Sequence, residues 1–239
     1  MSGDEWMLLG VERDVAAELL ARSTELLDLA GRKGRPILRW YVSTDAAIVL
    51  GRGQRDAKPV AGHSQLQRPS GGGAVLMDAE LLSLDVIVPD GHLWLSDPDL
   101  GAVFDPIGRA WAAALADLGL SDLSVHAGPA TATRLGPPEL RPLAEVCYAS
   151  LGRGEVLCGG RKLVGLSQRR RRQGALIQCG IHRVWNPEPL IAALDVDQAA
   201  EAIRGAAVGL DEVVDHPPSD ASITRAVQNR LLEDPRDGE

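Results

Sequence analysis

The sequence predicts an α+β fold, with mixed or antiparallel sheets flanked by helices. Runs of β-forming residues occur early and late in the chain, segments with helical periodicity lie between and after them, and no internal repeat divides the 239 residues. The composition, 45% hydrophobic and 24% charged, is that of a globular protein able to bury a sizeable core. We therefore expect a single domain, with a core over about 8–195, a helical extension over 196–232 and an acidic tail over 233–239.

The first half of the chain contains one helical pattern and four short runs of β-formers. Apolar residues from Val15 to Ala30 share one face at helical spacing and Gly31 supplies a stop, so we predict a helix over 11–30. The other runs predict strands over 36–42, 46–51, 73–76 and 84–89. Because only three residues separate the first two runs, we expect those two strands to form a hairpin.

From residue 97 onward the chain has four helical patterns and a second hairpin. A helix is predicted over 97–118, with Asp97 and Asp105 as alternative N-caps. Glycine and proline make 125–142 loop-rich, and we expect the end after Glu233 to fray. The other predicted elements are a β-hairpin with strands over 163–168 and 175–181 around a turn at 169–174, and helices over 187–194, 198–204 and 221–232.

Charge and cysteine content exclude several classes of function. The formal charge of -8 repels nucleic acid and anionic membranes, and no run approaches the roughly 18 apolar residues of a membrane span. The N-terminus carries Asp4 and Glu5 where a signal peptide would be basic, so we expect a soluble cytoplasmic protein. Cys147, Cys158 and Cys179 form no CxxC pair, which favours reduced thiols and no metal site, and apolar neighbours indicate that the last two are buried.

Two segments indicate chemistry. The triplet Gly71–Gly73 is unusual because adjacent glycines cost backbone entropy and cluster where a ligand approaches the main chain, although a flexible turn is the ordinary alternative. No Gly-Lys-Ser/Thr follows, so it is not a P-loop. Lys162 opens a predicted strand in a chain with only three lysines among 25 basic residues. A strand-end lysine is usually solvated, but this scarcity favours an amine that points into a site.

These segments together resemble the superfamily of lipoate-protein ligases and octanoyl/lipoyl transferases, which shares its catalytic fold with biotin-protein ligases. The resemblance rests on three motifs in order, Gly51-Arg52-Gly53-Gln54, RPSGGGAVLMD from Arg68 to Asp78, and GRKLVGLSQ from Gly160 to Gln168. The segment EVCYAS around Cys147 resembles the cysteine loop of the amidotransferase branch. One departure is Met77, which stands where the family usually has histidine.

The resemblance implies a catalytic domain with Cys147 and Lys162 as catalytic residues. The substrate-binding residues that it implies are Arg68, Ser70, Gly71, Gly72, Gly73, Ala74, Val75, Gly165, Ser167 and Gln168. The function it favours is transfer of an octanoyl or lipoyl group, through a Cys147 thioester, to a lysine of a lipoyl carrier domain. Such carriers are the glycine-cleavage H-protein and the E2 component of 2-oxoacid dehydrogenases, and this transfer needs no cofactor.

Two other functions remain open on the same resemblance. The first is an ATP-dependent lipoate-protein ligase that forms lipoyl-adenylate with ATP and Mg, with Cys147 as a bystander. The second is a non-catalytic accessory protein that binds lipoate or a lipoyl domain, because Met77 replaces a familiar residue. Nucleic-acid binding is disfavoured, since aromatic residues make up only 3% of the chain.

The transferase hypothesis makes spatial predictions. Cys147 and Lys162 should face one apolar slot floored by the triple glycine, where the ammonium favours the thiolate and Lys162 or the glycine amides stabilise the oxyanion. The candidates to line the slot are Val75, Leu76, Met77, Leu163 and Val164. The run Arg169–Arg172 is ordinarily a solvated turn, but in an acidic chain it is also a candidate to steer an acidic carrier domain.

Overall fold

A computed structural model describes residues 6–55 and 57–233. Within them the chain forms ten strands and seven α-helices. The strands are β1 (Met7–Asp14), β2 (Ile37–Ser43), β3 (Ala47–Leu50), β4 (Ser64–Gln67), β5 (Val75–Met77), β6 (Leu81–Pro89), β7 (Leu123–Val125), β8 (Val156–Cys158), β9 (Arg161–Arg171) and β10 (Gly174–His182). The helices are α1 (Ala16–Lys33), α2 (Phe104–Asp117), α3 (Arg141–Glu145), α4 (Glu188–Leu194), α5 (Ala200–Ala206), α6 (Leu210–Val213) and α7 (Asp220–Leu232).

The strands form two mixed sheets, as the sequence predicts. The large sheet has the order β1-β2-β6-β10-β9-β8-β7, in which only β1 and β2 are parallel. The small sheet has the order β4-β3-β5, with β3 parallel to β4 and antiparallel to β5. The predicted hairpin of 36–42 and 46–51 is therefore wrong, because β2 and β3 belong to different sheets. Three intervening residues permit a hairpin, but long-range pairing with β6 and β5 decides where each strand lies.

The layers of the fold enclose the space between the two sheets. Helices α2 and α7 cover one face of the large sheet, where Trp40 and Trp111 pack edge to face in the main core. Helix α1 and the small sheet cover the other face through a cluster that includes Leu19, Tyr41 and Met77. Helices α4 and α5 close the far side of the small sheet. The facing surfaces of the two sheets thus lie close enough to form a binding cavity.

Several predicted element boundaries are corrected. The first helix starts at Ala16 and ends at a left-handed Gly34, because residues 7–14 form β1 beside β2. Helix α2 begins with Phe104, so neither Asp97 nor Asp105 is its N-cap, and Asp105 instead binds Arg153. The other predicted helices after α2 are present, whereas the sequence patterns did not predict β1, β4, β7, β8 or the short helices α3 and α6.

The C-terminal segment completes the core. Ile223 and Val227 of α7 are fully buried against α2, in the same cluster as Trp111. In the described part of the chain, no helix is long and apolar enough to cross a membrane. The predicted acidic tail lies outside the described residues beyond 233, so its fraying stays a prediction.

Candidate active site

Cys147 lies at the start of a short 3-10 helix, Cys147–Ala149, within a segment that we call the cysteine loop (residues 145–150). This loop pairs with the glycine-rich segment of the second motif. The Ala74 amide donates to the Glu145 carbonyl at 2.7 Å, and the Cys147 amide donates to the Ala74 carbonyl at 2.8 Å. These reciprocal bonds make a parallel bridge between Ala74 and Val146. The glycine-rich segment therefore positions the cysteine through backbone contacts.

The last glycine of the triplet allows this close approach. A Cβ atom at Gly73 would lie 2.7 Å from the Cys147 amide nitrogen and 2.8 Å from the Ala144 carbonyl oxygen. Both contacts are shorter than packed atoms tolerate, so the cysteine loop fits only beside a residue without a side chain. The triplet was predicted to allow a ligand near the main chain, and here Gly73 allows the chain's own cysteine loop to approach.

Arg68 holds the glycine-rich segment in shape. Its Nη2 donates to the Gly71 carbonyl at 2.9 Å and to the Gly73 carbonyl at 2.6 Å, and its Nη1 donates to the Val49 carbonyl at 3.1 Å. Arg68 is buried, and burial lowers the pKa of its guanidinium, while proximity to Cys147 has the opposite, weaker effect. Among the described residues no carboxylate forms an ion pair with it, and its Nε has no acceptor.

The side chain of Lys162 contacts the main chain of the cysteine loop. Its Nζ lies 2.5 Å from Oε1 of Glu155, and it donates to the carbonyls of Cys147 at 2.8 Å and Ser150 at 3.0 Å. The side chains of Lys162 and Glu155 are 1% and 4% exposed, so this is a buried ion pair. Glu155 also accepts from the amides of Gly152 and Leu166. The three protons of the ammonium thus have three acceptors, all supplied by the chain itself.

Tyr148 anchors the loop to the large sheet. Its hydroxyl donates to the Gly180 carbonyl at 2.6 Å, and its ring packs edge to face on His182 at 4.6 Å. Burial, as the main cause, raises the pKa of Tyr148 well above its ordinary value, so the phenol stays protonated and remains a donor. Gly165 makes room for this ring, since a Cβ there would lie 3.1 Å from Cζ of Tyr148.

The first motif also contacts the loop. Oε1 of Gln54 accepts from the Gly51 amide at 2.9 Å, and its Nε2 donates to the Glu145 carbonyl at 2.9 Å. The same Nε2 donates to the Glu145 carboxylate at 2.7 Å. All three sequence motifs, distant along the chain, therefore converge on residues 145–150.

Cys147 lines a partly open cavity between the two sheets, with about 500 Å³ of empty space when its open mouth is included. Its walls are mostly apolar, and Arg68, Ser83, Ser167, Gln178 and the hydroxyl of Tyr41 add polar groups. The lining residues are Leu20, Tyr41, Val49, Arg68, Val75, Met77, Leu81, Ser83, Cys147, Tyr148, Gly165, Leu166, Ser167, Gln178, Cys179 and Gly180. A thiol beside an apolar cavity of this kind can attack the carbonyl of an acyl chain bound within it.

The predicted site residues fall into two groups. Cys147, Arg68, Val75, Gly165 and Ser167 line the cavity. The others lie near it without lining it. Ser70 donates to Oε1 of Gln178 at 3.1 Å, Ala74 is buried against the cysteine loop, and Gly71 and Gly72 are exposed, while Nε2 of Gln168 is buried without a partner among the described residues.

The predicted slot differs from the observed cavity in its floor and in its lysine. Lys162 and Gly71–Gly73 are not among the described residues that line it. Of the five predicted wall residues, Val75 and Met77 line the cavity, whereas Leu76, Leu163 and Val164 point into the hydrophobic cores. In β5 strand alternation explains the difference, because Leu76 faces the side of the sheet opposite to Val75 and Met77. Met77, at the position of the family's usual histidine, presents an apolar side chain to the cavity.

Four lining residues were not predicted from sequence patterns: Tyr41, Ser83, Tyr148 and Gln178. Tyr41 donates to the fully buried Asp85, which pairs with the equally buried Arg39 at 3.1 Å. Burial raises the pKa of both Tyr41 and Asp85. The available signal was polar residues at alternate positions of otherwise apolar strands, as at Ser83 and Asp85 in β6.

The other two cysteines differ from Cys147. Cys179 is buried, and burial raises the pKa of its thiol, whereas Cys158 is half-buried instead of buried as predicted. No group of three or more His, Cys, Asp or Glu side chains among the described residues is arranged to hold a metal ion.

Comparison with known proteins identifies the family. The profile of the lipoyl protein ligase A/B catalytic domain matches residues 16–231, which is most of the chain. The chain belongs to this family. The prediction drawn from the three motifs is therefore confirmed, and the mixed α+β fold agrees with it.

Similar proteins include transferases and a ligase. Octanoyltransferase LipM of Moorella thermoacetica is 30% identical, over 90% of this chain and 80% of that protein. Octanoyltransferase LipM of Kyrpidia tusciae is 29% identical, over 95% and 86%. A bi-partite lipoate protein ligase of Thermoplasma acidophilum, solved in a study that includes its E2 lipoyl domain, aligns with a TM-score of 0.68 and 20% identity, over 96% of this chain and 83% of that one. At that identity the structural match shows the fold alone.

Proposed function

We propose that this chain is a cysteine-dependent acyltransferase that moves an octanoyl or lipoyl group onto a lysine of a lipoyl carrier domain. The observation that carries the proposal is that Cys147, held by three motifs, lines an apolar cavity. The relatives named octanoyltransferase, similar over nearly the whole chain, support the same assignment.

The cavity supplies binding energy for the acyl chain. An octanoyl or lipoyl group buries about six methylenes, and at about 0.8 kcal/mol each they contribute roughly 5 kcal/mol. Met77, Val75 and Leu81 offer apolar surface for these methylenes. The reactive carbonyl then stays near Cys147 at the cysteine loop, in reach of its thiolate.

The reaction proceeds in two steps. The Cys147 thiolate attacks the carbonyl of an acyl thioester, the new Sγ–C bond forms, and the donor's C–S bond breaks to leave a thiol that takes up the proton Cys147 lost. A neutral lysine amine of the carrier then attacks the Cys147 thioester. The C–N bond forms, the Sγ–C bond breaks, and the proton released by the amine returns to the sulfur. These two reaction steps consume no nucleotide and need no cofactor.

Arg68 and Lys162 take different parts in this proposal. Arg68 lines the cavity with Cys147, so its guanidinium is the positive charge available to the thiolate and to the oxyanion. Lys162 is neutralised by Glu155 and bonded to two carbonyls of the cysteine loop. In this arrangement it is a positioning residue for Cys147, in place of the direct role that the sequence analysis assigns to it.

The test is intact-mass spectrometry of the full chain after incubation with an octanoyl thioester, and of an apo lipoyl domain after incubation with the chain and octanoate, each with and without ATP. We expect a covalent octanoyl adduct in the absence of ATP, lost in Cys147→Ser and retained in the matched variant Cys158→Ser. ATP-dependent carrier modification that survives Cys147→Ser would instead establish the ligase function. Carrier binding with neither adduct nor turnover would identify an accessory protein.

A further inference from the structure

The arginine run Arg169–Arg172 is not a turn. Its first three residues belong to β9, and only Arg172 and Gln173 join β9 to β10. Alternation along the strand sends the side chains to opposite faces of the sheet. Arg169 reaches Oγ1 of Thr24 in α1 at 3.4 Å, whereas Arg170 donates to the Leu95 carbonyl at 3.0 Å on the other face. The run therefore does not act as one basic patch.

Arg169 shares a groove with an arginine from a distant motif. The groove runs between α1 and the end of β4, and its space, including the part open to solvent, is about 980 Å³. Its lining residues are Ala17, Leu20, Ala21, Thr24, Arg52, Leu66, Gln67, Arg68, Pro69 and Arg169. Leu20 and Arg68 also line the acyl cavity, so the two spaces adjoin. We call this space the arginine groove.

Among the described residues, Arg52 and Arg169 of the groove have no carboxylate within ion-pair distance. Partial burial lowers the pKa of Arg169, the nearby charges of Arg171 and Arg52 lower it further, and nearby Asp28 has the opposite effect. Like charges brought together with only partial compensation cost energy in the free protein, and an anionic ligand recovers that energy. The remaining chain is acidic, so this positive surface is a local exception.

We propose that the arginine groove, through Arg52 and Arg169, docks acidic side chains that surround the acceptor lysine of a lipoyl carrier domain. The proposal rests on the proposed function, since that function brings the lysine to the Cys147 thioester. A carrier whose lysine enters beside Leu20 and Arg68 must lay neighbouring surface over the groove. The small apolar side chains of Ala17 and Ala21 leave room for that surface, and the two guanidinium groups supply charge complementarity.

Binding of the carrier, measured without an acyl donor, tests this docking independently of turnover. The probe is a fluorescently labelled apo lipoyl domain of a 2-oxoacid dehydrogenase E2, titrated with the full chain at low salt. We expect the double variant Arg52→Ser/Arg169→Ser to raise Kd about tenfold. The matched control Arg32→Ser/Arg172→Ser removes two exposed charges outside the groove lining and should change Kd less than twofold.

Two further measurements separate docking from other roles. The difference between wild type and the groove variant should shrink as salt rises, because salt screens exposed charges. Acylation of Cys147 by the uncharged octanoyl thioester of N-acetylcysteamine should keep its wild-type rate in the groove variant. Equal Kd values for the two double variants, a loss of affinity that persists at high salt, or an equally large fall in acylation would each overturn the docking proposal. Failure of the proposed function would appear elsewhere, as absence of the Cys147 adduct in the wild type.

Discussion

The ammonium of Lys162 donates to the main-chain carbonyl of Cys147 at 2.8 Å. The lysine therefore contacts the cysteine through its backbone, and its charge is compensated by Glu155. This relationship makes the ion pair a support for the cysteine loop. Because Lys162 bonds to the main chain of Cys147, we expect a substitution of the lysine to move the thiol, which lies 15 residues earlier in the chain.

Lys162→Met should destabilise the protein strongly. Removing the ammonium leaves the buried Glu155 carboxylate without its cation, and breaking a buried pair in this way costs about 3–5 kcal/mol. Urea unfolding measures the loss. The matched control is Lys58→Met, whose partner Asp195 is 66% exposed, and which should cost less than about 1 kcal/mol. Adding Glu155→Gln to Lys162→Met should restore part of the stability, and a double variant no more stable than the single one would contradict the buried-charge explanation.

Gly73→Ala should disturb the cysteine loop, whereas Gly71→Ala should not. The new methyl group at Gly73 would overlap the Cys147 amide, so the loop must shift, at a cost of about 1–3 kcal/mol. At Gly71 a Cβ meets nothing within 4 Å. Thermal unfolding and the rate of Cys147 alkylation by iodoacetamide together measure the effect. Equal behaviour of the two variants would show that the close approach at Gly73 is unimportant.

Ser83→Ile should shorten the acyl chain that the cavity accepts. Ser83 lines the cavity at 5% exposure, and a larger side chain there takes space from the chain's methylenes. Excluding two of them costs about 1.6 kcal/mol, so KM for an octanoyl thioester should rise roughly fifteenfold, while KM for a butanoyl thioester stays near the wild-type value.

The control for this change is Ser124→Ile, an exposed position on β7 outside the lining of the cavity. It should leave both KM values unchanged. A parallel rise for the two chain lengths in Ser83→Ile would mean that Ser83 does not limit the depth of the cavity.

His182 should make the protein less stable in mild acid. Burial lowers the pKa of His182 from 6.5 to about 3, so the native ring stays neutral while the unfolded chain takes up a proton. Between these two values the unfolded state binds more protons, so the free energy of unfolding falls as pH falls, by at most about 1.4 kcal/mol per pH unit from this residue. Above the unfolded pKa the contribution to the pH dependence vanishes.

His182→Phe should remove this part of the slope, as measured by urea unfolding between about pH 4 and 6. The exposed His216 provides the matched control, because His216→Phe should leave the slope unchanged. A His182→Phe variant with the wild-type slope would show that other groups cause the acid sensitivity.

Local patterns predicted much of this structure correctly. The hairpin of β9 and β10 follows from two apolar runs around a polar turn, and α4, α5 and α7 follow from helical periodicity. The same reasoning failed at β1, because its last residues, 11–14, were assigned to the helix that follows. It also failed for β2 and β3, since pairing across long sequence separations is invisible to a local window.

The residues of the candidate site were likewise predicted only in part. Cys147, Arg68 and Gly165 were found because they belong to motifs that resemble a known family, and all three line the cavity. Tyr41 and Gln178 belong to no motif. They line the cavity because their side chains, on β2 and β10, point to the same face of the large sheet. Which face a strand buries depends on its neighbours, and those neighbours come from other parts of the chain.

The sequence by itself determined the family and the cysteine on which the proposed chemistry depends, because the order and spacing of motif residues can be recognised without the fold. It also determined the mixed α+β architecture, because apolar periodicity distinguishes helices from strands. Only the tertiary structure decided that Lys162 bonds to carbonyls of the cysteine loop and that Met77 faces the cavity. It alone also decided that Arg169 and Arg170 lie on opposite faces of the sheet. These properties arise from hydrogen bonds and strand pairing between distant segments, and a side chain's direction is fixed only when those segments meet.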